Sequence, residues 1–289
     1  MIATMQRLVK RLLRPVAPAI RSAIGARRYD WLRARLIASH RFDEVSLVWR
    51  AIGRQRAGVG VMLDVGSHRG ESAQPFSELG WTVHCFEPNE VNWPIIENRL
   101  TQRFPKTRLF RVAVGEKAEW GRLLYGSPES SGITSLHAFH QTHVPAASVD
   151  VITLTEHCTA EGISHVDFLK IDTEGFDYFV LRGLDWDQFR PDVVVCEFED
   201  SKTQALGHSY DSIASYLVER GYRVIVSEWK PIARYGANHM WLRYAEFPCS
   251  LQDPRGWGNL IAFRDGAVAI CLLRELEAVS PALLSSPGV

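Results

Sequence analysis

The chain has 289 residues, 46% hydrophobic and 23% charged, which excludes a collagen-like or wholly disordered polypeptide and suffices for one large domain with an appendage. Its net charge of zero hides an asymmetry: residues 1–56 carry thirteen Arg or Lys against three Asp or Glu, about +10, which leaves the remainder at about −10. An acidic main body opposes a polyanionic partner, so no nucleic acid is expected.

The basic segment opens MIATMQRLVKRLLRPVAPAI, with no uncharged core long enough to cross a bilayer and no secretory-signal pattern. Met5, Leu8, Leu12 and Leu13 can share one helix face ending before Pro15. Residues 1–57 are therefore expected to form a basic helical extension, docked on the acidic domain or touching a protein partner or an anionic membrane surface. The change in charge places a domain seam near Gly58, giving a main domain over 58–265 and a tail over 266–289.

Residues 61–66 read as a strand, 71–79 as a helix ending at Gly80, 81–86 as a strand and 89–100 as a helix, followed by the strand LFRVAV at 109–114. VDFLKI (166–171) and DVVVCEF (192–198) are further strands around a helix at 175–184. A helix at 209–220 leads to YRVIVS (222–227), and NLIAF (259–263) is last. Seven strands alternating with helices predict a doubly wound α/β sheet, mostly parallel, whose last two strands can pair antiparallel. The stretch from 114 to 166 is too long for a simple crossover and predicts extra strands with a loop over the sheet edge. AVAICLLRELEAV near the end predicts a terminal helix. Five cysteines (85, 158, 196, 249, 271) without a CxxC argue for a reducing, cytoplasmic setting, with peripheral contact at a membrane's inner face as an option, and against zinc.

In VMLDVGSHRG a strand is followed by two glycines, at 66 and 70, and the next strand ends on Glu87. A glycine loop and an acid at the carboxyl edge of a parallel sheet suit a nucleotide-like ligand whose ribose hydroxyls Glu87 accepts. A pyrophosphate grip needs G-x-G-x-x-G, but residue 68 is histidine, which disfavours a nicotinamide oxidoreductase. S-adenosylmethionine has no pyrophosphate. Asp64 could take its ammonium and free N–H groups around Ser67 its carboxylate, or Asp64 could simply fix the turn.

VMLDVGSHRG, CFEPN, SSGITSL and especially FLKIDTEGFDYFVLRGL resemble the FkbM-type S-adenosylmethionine-dependent methyltransferases over roughly residues 58–265. The resemblance implies a class I methyltransferase-like fold and methylation of hydroxyls on sugars or polyketide-type products. It maps Asp64, Gly66 and Gly70 to the first loop, Glu87 to the ribose, and Asp172, Glu174 and Gly175 to the signature. Thr155 stands where the family often has Asp. The expected activity is O-methylation of a glycan, glycolipid or glycosylated metabolite; a cofactor-binding scaffold without turnover is the competing class.

Methyl transfer to oxygen is an in-line displacement that needs positioning and a means of removing the hydroxyl proton. Asp172 and Glu174, at the end of the fourth expected strand, are the leading candidates. Either could instead cap the next helix. Glu197 and Glu199, on the adjacent strand tip, could join Asp172 around Mg2+ or Mn2+. His137, His140 and His143 are spaced three apart, and His140 is the favoured alternative base. His239 could face the acceptor with Trp241 and Trp257, whose rings suit the apolar face of a sugar.

Overall fold

The computed structural model describes residues 43–128, 130–232 and 239–280. Helix α1 (Glu44–Val48) starts at Asp43, whose Oδ1 accepts the Val45 N–H at 2.9 Å, and continues as a wider helical turn over Trp49–Gly53. The expected alternation follows: β1 (Val61–Val65), α2 (Gln74–Glu78), β2 (Thr82–Phe86), α3 (Trp93–Ile96, flanked by further helical turns) and β3 (Thr107–Phe110). The long middle stretch supplies β4 (Ala113–Val114), β5 (Glu119–Ser127), β6 (Ser130–Ser135) and β7 (Val144–Ile152). Next come α4 (Leu154–Ala160), β8 (Phe168–Ile171), α5 (Asp177–Arg182), β9 (Val193–Glu199), α6 (Asp200–Thr203) and α7 (Tyr210–Glu219). The chain continues through β10 (Arg223–Trp229), β11 (Trp241–Glu246), β12 (Trp257–Phe263) and α8 (Ala267–Val279).

Eight strands form the main sheet in the order β11-β10-β12-β9-β8-β1-β2-β3. The five from β9 to β3 are parallel, β12 runs antiparallel to both β9 and β10, and β11 is antiparallel to β10. This mixed α/β arrangement resembles the expected class I methyltransferase-like fold, with one strand more than the sequence predicts in the main sheet. The extra strand WLRYAE lies in the aromatic and polar stretch from which the sequence predicts no strand.

Alternation along each strand sends side chains to two cores. Leu63, Leu169, Ile171, Val194 and Cys196 pack with α4, α5 and α7. Met62, Val83, Phe168, Val195 and Ile261 pack on the other face with α1, α2, α3 and α8. The expected strand LFRVAV is broken in two. Arg111 turns outward to pair with Glu97 and lies over the Trp93 ring at 4.8 Å, so the chain leaves β3. Ala113 and Val114 then join a second sheet, ordered β4-β7-β5-β6, with its own core of Leu124, Leu136, Val149, Val151 and Phe176.

The charge boundary at residue 58 is not a packing boundary. Leu47, Val48, Ala51 and Ile52 are at most 3% exposed, because their helical spacing turns all four toward the sheet. Glu44 is buried beside β10, where Ser227 Oγ (2.5 Å) and Trp229 Nε1 (2.8 Å) donate to its carboxyl; burial pushes its pKa up. Arg56 pairs with Asp167 and, at 2.9 Å, with Asp192, at the opposite end of the sheet from the long loops. Arg50 likewise reaches Glu275 of α8 at 2.9 Å. The packed unit therefore begins upstream of 58 and runs past 265. The proposed helix face at Met5–Leu13 lies outside the described residues. No helix among the described residues is long and apolar enough to cross a membrane.

Deleting residues 1–57 should abolish cooperative unfolding, because it strips α1 from the core. The single change Leu47→Ala should cost about 2–5 kcal/mol in urea denaturation. A cost near zero would show that α1 is not part of the core.

Candidate active site

The strand order reverses between β1 and β8, so the loops leaving their carboxyl ends diverge and open a crevice. Gly66 follows β1 with φ +74°, and a Cβ there would stand 1.8 Å from the Asp172 carbonyl oxygen. That contact, with the Asp172 N–H donating to Val65 O at 3.0 Å, seats the two loops against each other. Gly70 serves differently from expectation. It also has positive φ (+76°), but its missing Cβ makes room for Leu100, 2.6 Å away, on the core side rather than for a ligand.

A cleft lies between these loops and the second sheet. Glu87 and His68 stand at one part of it, Asp172 and Glu174 at another, and Val112, Val114, Leu124 and Leu136 form an apolar wall. Glu87 caps β2 and accepts the His68 N–H at 2.7 Å and the Asn89 N–H at 2.8 Å. Burial raises its pKa to about 7 against the opposing effect of those N–H groups. His68 holds a left-handed conformation (φ +48°) and crosses to the second sheet, with Nε2 3.0 Å from Ser131 Oγ. Burial lowers its pKa.

Two expected cofactor ligands lie beneath the cleft and do not line it. Asp64 is fully buried and ion-pairs at 3.3 Å with Lys170, its cross-strand partner on β8. Ser67 is buried and donates to the Asp64 carbonyl at 2.7 Å. Asp64, on the inward side of β1, and Ser67, just past its end, both lie under the loop. Lys170 also donates to Gly66 O at 2.7 Å and approaches Asp172 at 3.5 Å. Burial alone would depress its pKa, but Asp64 and Asp172 outweigh that and hold the ammonium above the ordinary lysine range.

Asp172 and Glu174 both face the cleft, though not through an extended strand. Glu174 turns at φ +56°, while Asp172 keeps 44% of its side chain exposed. Neither caps α5. Asp177 ties that loop instead, accepting from Thr173 Oγ1 at 3.0 Å and the Gly175 N–H at 3.2 Å. Burial raises Glu174 to about 7 and Asp177 to about 6, with Asp172 adding to both. Asp172, Glu174 and Glu197 each offer an oxygen within 4.8 Å of the others, a donor set that suits a hard cation. Glu199 falls outside this group, and the space among Glu174, Glu197 and Glu199 already holds the Lys202 ammonium. While Lys202 keeps its place it competes with Mg2+ or Mn2+ for Glu197, and Glu199 contributes nothing to the donor set.

The histidine expectations fare unevenly. His137, His140 and His143 lie in an irregular connection between β6 and β7, not on a helix. His140 Nδ1 sits 2.7 Å from Thr142 Oγ1 and does not line the cleft, whereas His143 braces the connection with Nε2 2.7 Å from Ile133 O. His239 stands edge-on to Trp257 at 5.0 Å, close enough to Glu199 and Lys202 to feel their charge; burial lowers its pKa. Trp241 is directed away, donating to Ser227 Oγ at 3.1 Å in the core against α1. Thr155 bonds Gly183 O at 2.9 Å and accepts the Asp185 N–H at 2.7 Å, a structural bridge. His68, Lys170, Asp177 and Lys202 carry much of the site, and sequence reasoning assigned none of them a role. The pattern LKID was the available signal for Lys170; EFEDSK, with its lysine three residues past Glu199, was the signal for Lys202.

Residues 64–224 match the model of the methyltransferase FkbM domain, more than half of the chain. The chain belongs to that family. It is an S-adenosylmethionine-dependent methyltransferase. No curated protein sequence matches it significantly. Solved structures similar to it include a precorrin-6y C5,15-methyltransferase from Geobacter metallireducens GS-15, at 13% identity over 75% of this chain and 87% of that one, TM-score 0.38. An rRNA methylase from Streptococcus thermophilus matches at 9% identity over 77% and 95%, TM-score 0.40. A TehB-like methyltransferase from Corynebacterium glutamicum matches at 11% over 83% and 98%, TM-score 0.36.

If Asp64 and Lys170 act as a buried pair, Lys170→Met should cost about 3–5 kcal/mol by stranding a carboxylate. The double variant Asp64→Asn/Lys170→Met should then lose less stability than the two single changes combined. Strict additivity in denaturation experiments would mean that the pair is not the anchor.

Proposed function

We propose that this FkbM-family methyltransferase transfers a methyl group from S-adenosylmethionine to a hydroxyl, that of a sugar in a glycan, glycolipid or glycosylated metabolite. The observation that carries the reading is one cleft with Glu87 at one part and the carboxylates of Asp172 and Glu174 at another. The sugar assignment draws on the family resemblance, on the polar Ser131, Thr134 and Ser135 in the cleft, and on Trp257 with His239 beyond Glu199. The acidic end of the cleft speaks against a polyanionic acceptor.

S-adenosylmethionine supplies an electrophilic methyl group on a sulfonium centre. Glu87 would hold the ribose hydroxyls with the lone pairs that His68 and Asn89 leave free. The wall of Val112, Val114 and Leu124 excludes water from the apolar part of the cleft. Asp172, which lines the cleft, would take the proton of the acceptor hydroxyl during methyl transfer. Glu174, raised to about 7 by burial, supports that proton transfer near neutral pH.

Asp172→Asn keeps the size of the side chain and removes its charge, so kcat and kcat/KM should fall together by about 10²-fold or more, with cofactor affinity within about twofold. Near-normal turnover by the folded variant would sink this role. The acceptor is found by incubating the protein with labelled S-adenosylmethionine and fractionated glycans, lipids and small metabolites. Label confined to fractions without sugar would overturn the acceptor class.

Glu87 yields a pH prediction. Its pKa is raised to about 7, so the carboxyl loses its proton, and gains its full accepting capacity, as pH rises through that value. Cofactor affinity by calorimetry should therefore strengthen by about tenfold from pH 6 to pH 8. Glu87→Gln should flatten the profile, and Glu87→Ala should weaken binding by about 1–3 kcal/mol. A profile unchanged by Glu87→Gln would remove Glu87 from the cofactor site.

A further inference from the structure

We infer that Lys202 is a resident cation that takes the place of a divalent ion among the acceptor-side carboxylates, so that this methyltransferase works without a metal. The inference rests on the reading that Asp172 and Glu174 face the acceptor, but its test does not require turnover.

Lys202 lies in α6, just past the tip of β9, and its side chain is 2% exposed. Its Nζ stands 2.6 Å from Glu174 Oε2, 2.9 Å from Glu199 Oε2 and 3.2 Å from Glu197 Oε2. Those separations are those of an ammonium with carboxylates, whereas a hard divalent ion draws its oxygens to about 2.0–2.6 Å and wants six or more of them. The surroundings are shaped to the lysine. Gly175 leaves room for its stem, since a Cβ there would come within 3.0 Å of Lys202 Cβ, and the Phe139 ring lies 5.4 Å from Nζ.

A single positive charge serves this cleft in a way that a divalent ion would not. It restrains Glu174 and Glu197, which with Asp172 form the tight group of carboxyl oxygens, and it leaves Asp172 outside its own contacts. Asp172 therefore stays open to the cleft, where direct coordination to a metal would occupy it. Lys202 is a positioning residue, acting through Glu174 on the cleft.

The test is titration of the full chain with Mn2+, followed by electron paramagnetic resonance, for the parent protein, Glu197→Gln, Lys202→Met and Lys202→Met/Glu197→Gln. The parent should bind no Mn2+ at this cluster below about 1 mM. Lys202→Met should bind one equivalent at least about tenfold more tightly, and Glu197→Gln should abolish that gain. Stoichiometric Mn2+ on the parent that is lost in Glu197→Gln would overturn the inference. So would a folded Lys202→Met that binds no more than the parent. Should Lys202→Met fail to fold, the parent and Glu197→Gln titrations decide by themselves. Parallel calorimetry with S-adenosylmethionine keeps the outcomes apart, because lost cofactor binding strikes at the methyltransferase reading and leaves the Mn2+ result standing.

Discussion

The buried ammonium of Lys170 joins three parts of the molecule that meet at the reversal of strand order. It pairs with Asp64 across the β1–β8 register at 3.3 Å, holds the Gly66 carbonyl at 2.7 Å and reaches toward Asp172 at 3.5 Å. Burying an ammonium without partners would cost several kcal/mol or drive off its proton. Here the acids reverse that tendency, so the charge is kept and the loops are kept with it. Gly66 presses on the Asp172 backbone so closely that no side chain fits between them. The first glycine loop and Asp172, the proposed base, are therefore seated by one interaction, and neither can shift independently of the other.

Beyond Asp172 the site becomes richer in acids than in cations. Asp172, Glu174, Asp177, Glu197 and Glu199 share two lysines, Lys170 and Lys202. The imbalance has a physical result: burial raises the pKa of Glu174, Asp177 and Glu197. Glu174 and Asp177, raised to about 7 and about 6, hold their protons toward the neutral range. That property would serve the proposed transfer to a hydroxyl, in which a proton must be taken up.

The second sheet turns an open edge into a cleft; besides its packing on Phe176, it is attached by local polar contacts. Ser131 meets His68 at 3.0 Å, Thr134 accepts from Asn89 Nδ2 at 2.9 Å, and Ser135 donates to Glu174 O at 3.0 Å. Each contact joins the serine- and threonine-rich strand β6 to a different loop of the main sheet: the glycine loop, the loop after Glu87 and the loop after Asp172. The apolar wall contributed by Val112, Val114, Leu124 and Leu136 faces all three. A change at any one loop is thus felt by the wall that closes the others.

The sequence by itself determined the alternating α/β order, the antiparallel final pair of strands, the family, and the placement of Glu87, Asp172 and Glu174 at a sheet edge. These depend on periodicity, on glycine and on a run of residues, all of which are local. It did not separate Gly66, which touches the opposite loop, from Gly70, which touches Leu100, because both read as turn glycines. Nor could a change in charge at residue 58 reveal that Leu47, Val48 and Ile52 complete the core. The tertiary structure decided the ion pairs. Lys202 meets Glu174, 28 residues away, only because β8 and β9 are neighbours, and Lys170 meets Asp64 only because β1 lies on the other side of β8. Spacing along a chain tells which face a side chain takes; what stands opposite that face is set by the order in which distant strands come together.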